Sequence, residues 1–173
     1  MSNKFEKVID NLFDNEDLII GDKTYSNETI SDQYLQGSML GTIKFYNINF
    51  NQVDFSVSAF INCCFKDCIF NEVTFQKCEF WNPTFENCKI NKSDWTKATF
   101  HKSIFRDCLF IDSDLTTSTV SESEFISTKF QNTNLKQITA WSVKIWKSDQ
   151  YVEINDPLEF ENLLINTNYK DDI

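Results

Sequence analysis

Six cysteines and one histidine are the side chains of this chain best suited to metal binding, disulfide formation or nucleophilic chemistry. Five of the cysteines are separated by multiples of five residues, and these are Cys63, Cys68, Cys78, Cys88 and Cys108. The sixth, Cys64, lies outside this series. Paired metal-binding motifs are absent from the sequence. We therefore interpret the five as buried, reduced, structural thiols, with metal or redox chemistry as the alternative.

The single histidine, His101, offers little for catalysis. No serine–histidine–aspartate arrangement can be assembled around it from the sequence, and glycine-rich phosphate loops are absent from a chain with 3 glycines. Between residues 43 and 147 the aspartates and glutamates are spread without clustering. We predict that the protein is not an enzyme and that it uses no cofactor or metal.

The element that must position all these side chains is a repeat of five residues from Phe45 to Ile145. Of the 17 phenylalanines in the chain, 14 lie on this one frame, and Ile90, Trp95, Leu115 and Val120 substitute for phenylalanine within it. Five residues turn an α-helix by roughly 140° and invert the face of a β-strand, so neither element can place these side chains in one core. A chain that bends once every five residues can do so, and a short fixed period of this kind is typical of a solenoid.

The residue two positions before each repeat centre is small or compact, as a second interior position requires. Cysteine, serine, alanine and valine recur there, and most of the remaining positions are polar. In this respect the chain resembles the pentapeptide-repeat family, most clearly in the segments Phe60–Phe80 and Phe100–Phe110. The resemblance implies an all-β solenoid: a right-handed quadrilateral β-helix with four repeats per coil, here about five coils with short terminal α-helices.

A coil of four repeats predicts that each residue stacks on its equivalent in the next coil, 20 positions later, at the parallel-strand spacing of about 4.8 Å. The column Lys66, Glu86 and Arg106 alternates in charge, which favours this stacking. Two pairs disfavour it, because Asp94 would lie beside Asp114 and Lys77 beside Lys97.

Three segments follow from this pattern: residues 1–42, residues 43–147 and residues 148–173. In the first, apolar residues at helical spacing within residues 3–13 predict an amphipathic helix that caps the solenoid, with a partner-binding helix as the alternative. Residues 18–42 predict an irregular first coil, because Lys23 and Glu28 would occupy the small interior position. The pattern from Leu18 to Tyr25 could also form a short hairpin.

Residues 148–173 follow the repeat. The pattern over residues 146–154 predicts a last strand, and Asp156, Pro157 and Glu159 form a helix start with an aspartate N-cap. Phe160, Leu163 and Leu164 form the apolar stripe of that helix. The helix is either a lid on the last coil or a dimer interface, and we expect a homodimer, as in relatives that pair through their C-terminal ends.

The composition and the charge distribution restrict the partners. No apolar run is long enough to cross a bilayer, and reduced thiols favour a cytoplasmic location. The best-known activity of the family is DNA-gyrase binding by quinolone-resistance proteins that mimic DNA. The net charge of −10 fits such mimicry, but residues 43–147 carry 12 basic and 11 acidic side chains, so the excess negative charge lies at the two ends. We therefore predict a protein-interaction or scaffold module without direct nucleic-acid binding, and gyrase modulation is the alternative.

The best candidate for a partner surface is a column of outward side chains that are not polar. Ile61 and Trp81 both directly follow a repeat centre and should be stacked neighbours, with His101 next in the column. Asn62 and Asn82 border them as a polar rim. Interface cores are poor in charge and rich in aromatic residues, so we predict that this column contacts a protein partner, unless Trp81 only covers the protein's own surface.

Overall fold

A computed structural model describes residues 19–147, 149–156, 158–160 and 162. The described strands are short and follow one another at the repeat interval. In chain order they are β1 (Ile19–Gly21), β2 (Thr24–Ser26), β3 (Thr29–Ser31), β4 (Met39–Gly41), β5 (Lys44–Tyr46), β6 (Asn49–Asn51), β7 (Ala59–Ile61), β8 (Cys64–Lys66), β9 (Ile69–Asn71), β10 (Glu79–Trp81), β11 (Thr84–Glu86), β12 (Lys89–Asn91), β13 (Thr99–His101), β14 (Ile104–Arg106), β15 (Leu109–Ile111), β16 (Thr119–Ser121), β17 (Glu124–Ile126), β18 (Lys129–Gln131), β19 (Thr139–Trp141), β20 (Val143–Lys147) and β21 (Gln150–Ile154).

The strands form three parallel sheets along a quadrilateral solenoid. Sheet A contains seven strands in the order β1-β4-β7-β10-β13-β16-β19, sheet B runs β2-β5-β8-β11-β14-β17-β20-β21, and sheet C runs β3-β6-β9-β12-β15-β18. Parallel partners in these sheets are four repeats apart along the chain, as Phe85 opposite Phe65 and Phe105 shows. The predicted coil of four repeats is therefore confirmed.

The fourth face of the solenoid carries single bridges instead of strands, through Tyr34, Asp54, Thr74, Asp94, Asp114 and Asn134. Next to these bridges the chain makes tight turns, in which for example the amide of Ser58 donates to the carbonyl of Phe55 at 3.1 Å. The aspartates hold the turns: Asp94 Oδ1 accepts the amide of Thr96 at 2.8 Å, and Asp114 Oδ1 accepts that of Thr116 at 2.7 Å. These local bonds explain how the chain tolerates neighbouring aspartates that the stacking rule disfavours.

The bend once every five residues has a uniform backbone cause. Two residues after each centre, from Asp22 to Ser142, φ is positive without exception. Asparagine and aspartate tolerate this left-handed conformation better than other side chains, and they are frequent at these positions. They also bond to one another between coils, as Asn87 Nδ2 does to Asp67 Oδ1 at 2.7 Å.

The repeat centres fill the interior as columns of stacked rings. Phe85 lies 4.7 Å from Phe65 and 4.8 Å from Phe105 between ring centroids, with interplanar angles of 8° and 4°. Rings of neighbouring faces meet edge to face, as Phe65 and Phe70 do at 5.6 Å. Trp95 replaces a phenylalanine and stacks on Phe75 at 4.1 Å. Such contacts add to the free energy gained from burial.

The predicted interior thiols lie at the second inward position, where each bonds to the coil before it. Cys78 Sγ donates to the carbonyl of Phe55 at 2.9 Å, and Cys63 Sγ to that of Leu40 at 3.3 Å. Serine at an equivalent position makes the same bond, as Ser58 Oγ does to Leu35 at 3.1 Å. All six cysteines are free, with Cys64 half-buried and the other five buried. The thiols thus serve as small, weakly polar interior groups.

The irregular first coil predicted within residues 1–42 is wrong. Regular coiling begins at β1, which pairs in parallel with β4, so β1 and β2 do not form a hairpin. Lys23 is exposed and Glu28 half-buried, so the first described coil tolerates long side chains where later coils have small ones. The solenoid consequently has about six coils rather than about five. The predicted helix within residues 3–13 lies outside the described residues.

The C-terminal end differs from the predicted single strand over residues 146–154. β20 extends sheet B, and β21 turns back to pair with it antiparallel, which covers the last edge of that sheet. Residues 158–160 are helical, and Asp156 Oδ1 accepts the amide of Leu158 at 2.8 Å, as an N-cap does. Phe160 is buried and lies 5.6 Å from Phe125 between ring centroids.

Candidate partner-binding surface

The candidate surface lies on sheet A, in the column of side chains that directly follow the repeat centres. The register places Ile61 opposite Trp81 and Trp81 opposite His101, so the structure brings the three predicted residues together. Their side chains point outward because successive residues of a strand face opposite sides of the sheet, and each of the three directly follows a buried centre. We call this column the aromatic strip, and it also includes Ser121 and Trp141 in the next two coils.

Trp81 is the most prominent of the three predicted residues. It is 41% exposed, and its indole Nε1 donates to Glu79 Oε2 at 3.3 Å. Its ring meets that of His101 edge to face, with 5.0 Å between centroids. These two contacts fix the indole in place and leave nearly half of it accessible.

His101 links Trp81 to the following coil. Its Nδ1 shares a hydrogen bond with Ser121 Oγ at 3.0 Å and lies 4.0 Å from Glu122 Oε1. The side chain is 23% exposed. With a ring contact on one side and a hydrogen bond on the other, His101 is suited to support the strip rather than to transfer protons.

Trp141 belongs to the surface, and the sequence analysis missed it. It lies three coils after Trp81 in the same column and is 45% exposed. Ser121, between His101 and Trp141, is only 2% exposed, and its Oγ bonds to His101 Nδ1 at 3.0 Å. Extending the stacking rule two coils beyond His101 would have found Trp141, but the repeat is weakest there because its centre is Ala140.

The charged groups beside the strip have partners within the described part of the chain. Lys102 Nζ lies 3.6 Å from Glu122 Oε2, and Glu79 accepts the bond from Trp81. Asn82 Nδ2 donates to Asn62 Oδ1 at 3.1 Å, which confirms the stacking of the predicted polar rim. The polar edges of the strip are therefore engaged with one another, and Ile61, Trp81 and Trp141 supply its apolar surface.

Among the described residues, no group of three or more histidine, cysteine, aspartate or glutamate side chains is arranged to hold a metal ion. Burial raises the pKa of the Cys63 thiol to about 11 and that of Cys78 to about 12, so neither supplies a thiolate nucleophile near neutral pH. Across the part of the chain that the structure describes, no helix is long and apolar enough to span a membrane.

The predicted dimer interface is only partly within the described residues. Phe160 is 1% exposed and packs within its own chain, whereas Leu163 and Leu164 lie outside the described residues. Exposed apolar side chains nearby are those of Leu158, at 70%, and Val152, at 45%.

No protein-family model matches the chain, and no curated protein matches it either. Among solved structures, a pentapeptide-repeat protein of the Arabidopsis thaliana thylakoid lumen is 19% identical with a TM-score of 0.48, over 56% of this chain and 66% of that one. HetL, a pentapeptide-repeat protein involved in heterocyst differentiation regulation in Nostoc sp. strain PCC 7120, is 9% identical with a TM-score of 0.47, over 83% of this chain and 68% of that one. A trypsin-treated form of QnrB1, a plasmid-mediated fluoroquinolone resistance protein, is 12% identical with a TM-score of 0.40, over 87% of this chain and 96% of that one.

The matched region is just under two thirds of the length of the thylakoid protein, and these similarities are too weak to transfer a partner. The fold rests on the chain's own geometry: a five-residue repeat, inward rings at most centres, and a register of four repeats between paired strands on three sheets. By these features the chain has the quadrilateral β-solenoid fold that its resemblance to the pentapeptide-repeat family implies.

Proposed function

We propose that the chain is a non-catalytic protein-binding or scaffold module that contacts its partner through the aromatic strip. The observation that supports this is the pair of nearly half-exposed indoles, Trp81 and Trp141, in one register on a flat sheet. Most other outward positions of the repeat are polar, and burying a tryptophan against a partner is a frequent source of binding energy. A solenoid of stacked coils supplies the rigid platform.

The test is affinity capture from the native cytosol, followed by a measured affinity for the captured partner. Trp81→Ala should weaken binding at least tenfold with little change in the melting curve, because the indole is largely outside the core. Tyr34→Ala is the matched control, since Tyr34 is 77% exposed on the fourth face. Equal affinities for wild type and Trp81→Ala would refute the proposal.

We further propose a reducing compartment, such as the cytoplasm, and a homodimer formed by the C-terminal segment. The bond from Cys78 Sγ to the Phe55 carbonyl supports the first, because an oxidised sulfur could not donate it. The exposed side chains of Leu158 and Val152 support the second. Phe160 contributes to the lid on Phe125 instead.

Gyrase modulation by DNA mimicry is the alternative function. DNA carries about one charge per 1.7 Å of axis, so a mimic needs a strongly acidic face. Three glutamates of the solenoid are instead paired with lysines one coil away, Glu86 with Lys66 at 2.8 Å, Glu122 with Lys102 at 3.6 Å and Glu124 with Lys144 at 3.6 Å. A supercoiling assay with and without a quinolone decides this point, and an effect on gyrase would favour the alternative.

A further inference from the structure

One formal charge lies next to the most prominent indole of the aromatic strip. Glu79 begins β10 and Trp81 ends it, so the two side chains lie on the same outward side of sheet A. Both residues are exposed, and the indole Nε1 of Trp81 donates to Glu79 Oε2 at 3.3 Å. This bond uses one of the two carboxylate oxygens and leaves the negative charge in place.

No basic side chain in the described part of the chain forms an ion pair with Glu79. Its neighbours in the two adjoining strands are Ala59 and Thr99, and the outward side chains of β4, β7, β13, β16 and β19 are uncharged apart from His101 when it is protonated. The nearest lysine in sequence, Lys77, occupies a left-handed corner position before the strand. The second carboxylate oxygen and the half-exposed indole therefore form a small surface with a single negative charge.

The charge of this surface selects a cation as the group that binds there. The ring face of tryptophan attracts cations more strongly than that of any other aromatic side chain. The free carboxylate oxygen accepts a charge-assisted hydrogen bond, which is stronger than a neutral one. An apolar side chain laid on Trp81 would instead bury the Glu79 carboxylate without a counter-charge, which is costly, and an acidic side chain would be repelled.

Among the cations of proteins, the guanidinium of arginine matches both parts of the surface. It is planar and stacks on an aromatic ring while its N–H groups donate to a carboxylate, whereas an ammonium is a compact, strongly hydrated point charge. Ile61 lies opposite Trp81 in the preceding coil and supplies an apolar contact for the arginine methylenes. We propose that Trp81 and Glu79 bind an arginine side chain of the protein partner that uses the aromatic strip. This inference rests on the proposed function and names the partner chemistry at the same surface.

Trp141 provides a comparison within the same chain. It lies three coils after Trp81 in the same column, and the two residues are similarly exposed, at 45% and 41%. The residue two positions before Trp141 is Thr139, so the carboxylate that accompanies Trp81 has no equivalent there. Because recognition of arginine needs both groups, Trp81 should bind arginine and Trp141 should only supply an apolar contact to the partner.

The experiment titrates the isotope-labelled full chain with an acetylated, amidated glycine–serine peptide that carries one central arginine, and it follows the indole N–H signals by nuclear magnetic resonance. Trp81→Phe and Trp141→Phe assign the two signals. The Trp81 signal should shift saturably and the Trp141 signal should not. Citrulline in place of arginine keeps the shape without the charge and should weaken binding about tenfold, and lysine should also bind more weakly than arginine.

The matched variants separate the site from the general attraction of a cation to an acidic protein. Glu79→Gln should weaken arginine binding about fivefold or more, because it removes the charge beside the indole. Asp107→Asn removes the same charge at an exposed corner between sheets B and C, where asparagine suits the positive φ, and it should bind like the wild type. Melting curves of both variants verify that the solenoid is intact.

Any of four results would overturn the inference: no saturable shift of the Trp81 signal up to the solubility limit of the peptide, an equal shift of the Trp141 signal, binding of the citrulline or lysine peptide as tight as that of the arginine peptide, or equal affinities for Glu79→Gln and Asp107→Asn. Failure here is distinct from failure of the proposed function. A captured partner that needs Trp81 but binds Glu79→Gln as tightly as the wild type would overturn the arginine inference and leave the proposed function standing. Capture that is independent of Trp81 would remove both.

Discussion

Replacing Phe85 with alanine tests the stacked core at its centre. Phe85 is fully buried, stacks on Phe65 at 4.7 Å and Phe105 at 4.8 Å, and meets Phe80 at 5.9 Å between ring centroids. Truncating a buried phenylalanine usually costs about 3–5 kcal/mol. Two parallel stacked partners are lost together, and aromatic pairs contribute about 0.5–1.5 kcal/mol each beyond area burial. We therefore expect the loss near the upper end of the usual range, at about 5 kcal/mol.

The assay is equilibrium urea unfolding of Phe85→Ala beside the wild type, followed by both far-ultraviolet circular dichroism and tryptophan fluorescence. Coincident transitions by the two probes justify a single free energy of unfolding. Ile69→Ala serves as the control, because Ile69 is 41% exposed on sheet C of the adjoining coil. The control should lose less than about 1 kcal/mol. A loss below about 1 kcal/mol for Phe85→Ala would mean that the rings are not a stacked core, and the solenoid would have to be rejected.

Three further predictions concern the turns, the thiols and the C-terminal segment. Val57→Asn should stabilise the protein by about 1 kcal/mol in urea melts, because Val57 has a φ of 62° that a β-branched residue adopts at a cost; a loss of stability would contradict this. Stability should fall as the pH rises above about 8.5, where the unfolded chain loses thiol protons that the folded chain keeps, with a slope of up to about 1.4 kcal/mol per pH unit for each buried thiol whose pKa the fold raises, those of Cys63, Cys68, Cys78 and Cys88. Cys78→Ser should make that slope shallower, since the pKa of Cys78 is raised to about 12 by burial, and an unchanged slope would reject this cause. Leu158→Asp should convert the expected dimer to a monomer in light scattering, and a wild-type monomer at tens of micromolar would reject the dimer.

The fold could be predicted from the sequence because one position in five carries most of the information. Each centre from Phe45 to Ile145 must be buried, and only a chain that bends every five residues can bury them together. The column Lys66, Glu86 and Arg106 gave independent support for four repeats per coil, and the structure places Lys66 Nζ 2.8 Å from Glu86 Oε1. The hydrogen bond from Lys66 to Glu86 is the main cause of a raised Lys66 pKa.

The ends were harder to predict because burial there is incomplete. The rule that position two before a centre must be small holds only where a coil lies on both sides, so Lys23 and Glu28 wrongly suggested an irregular coil. At the other end, nothing in the pattern of residues 146–154 separates a single strand from the hairpin of β20 and β21. The antiparallel return satisfies a free sheet edge, and that requirement comes from the assembled sheet rather than from the residues themselves.

The candidate surface was predictable only as far as the repeat was clear. Ile61, Trp81 and His101 follow phenylalanine centres, so their columns could be assigned with the same rule that gave the fold. Trp141 follows Ala140, a small centre in the fading part of the repeat, and could have been a core residue on sequence grounds alone. The structure shows that Ala140 is buried and Trp141 is 45% exposed. The five-residue repeat therefore continues here, although the sequence pattern that indicates it is weaker.

The backbone geometry of the solenoid requires apolar side chains at the repeat centres but places no such requirement on the outward residues. A centre must be apolar to keep the coil closed, but the residue after it contacts mainly its neighbours on the same face and solvent. That freedom allows charged pairs on sheet B, amide ladders at the corners and aromatic side chains on sheet A within one backbone. Most of these outward residues stabilise one another, since opposite charges or paired amides lie beside each other in neighbouring coils. Trp81 follows a local rule as well, because its indole donates to Glu79 and packs edge to face on His101 while 41% of the residue stays exposed.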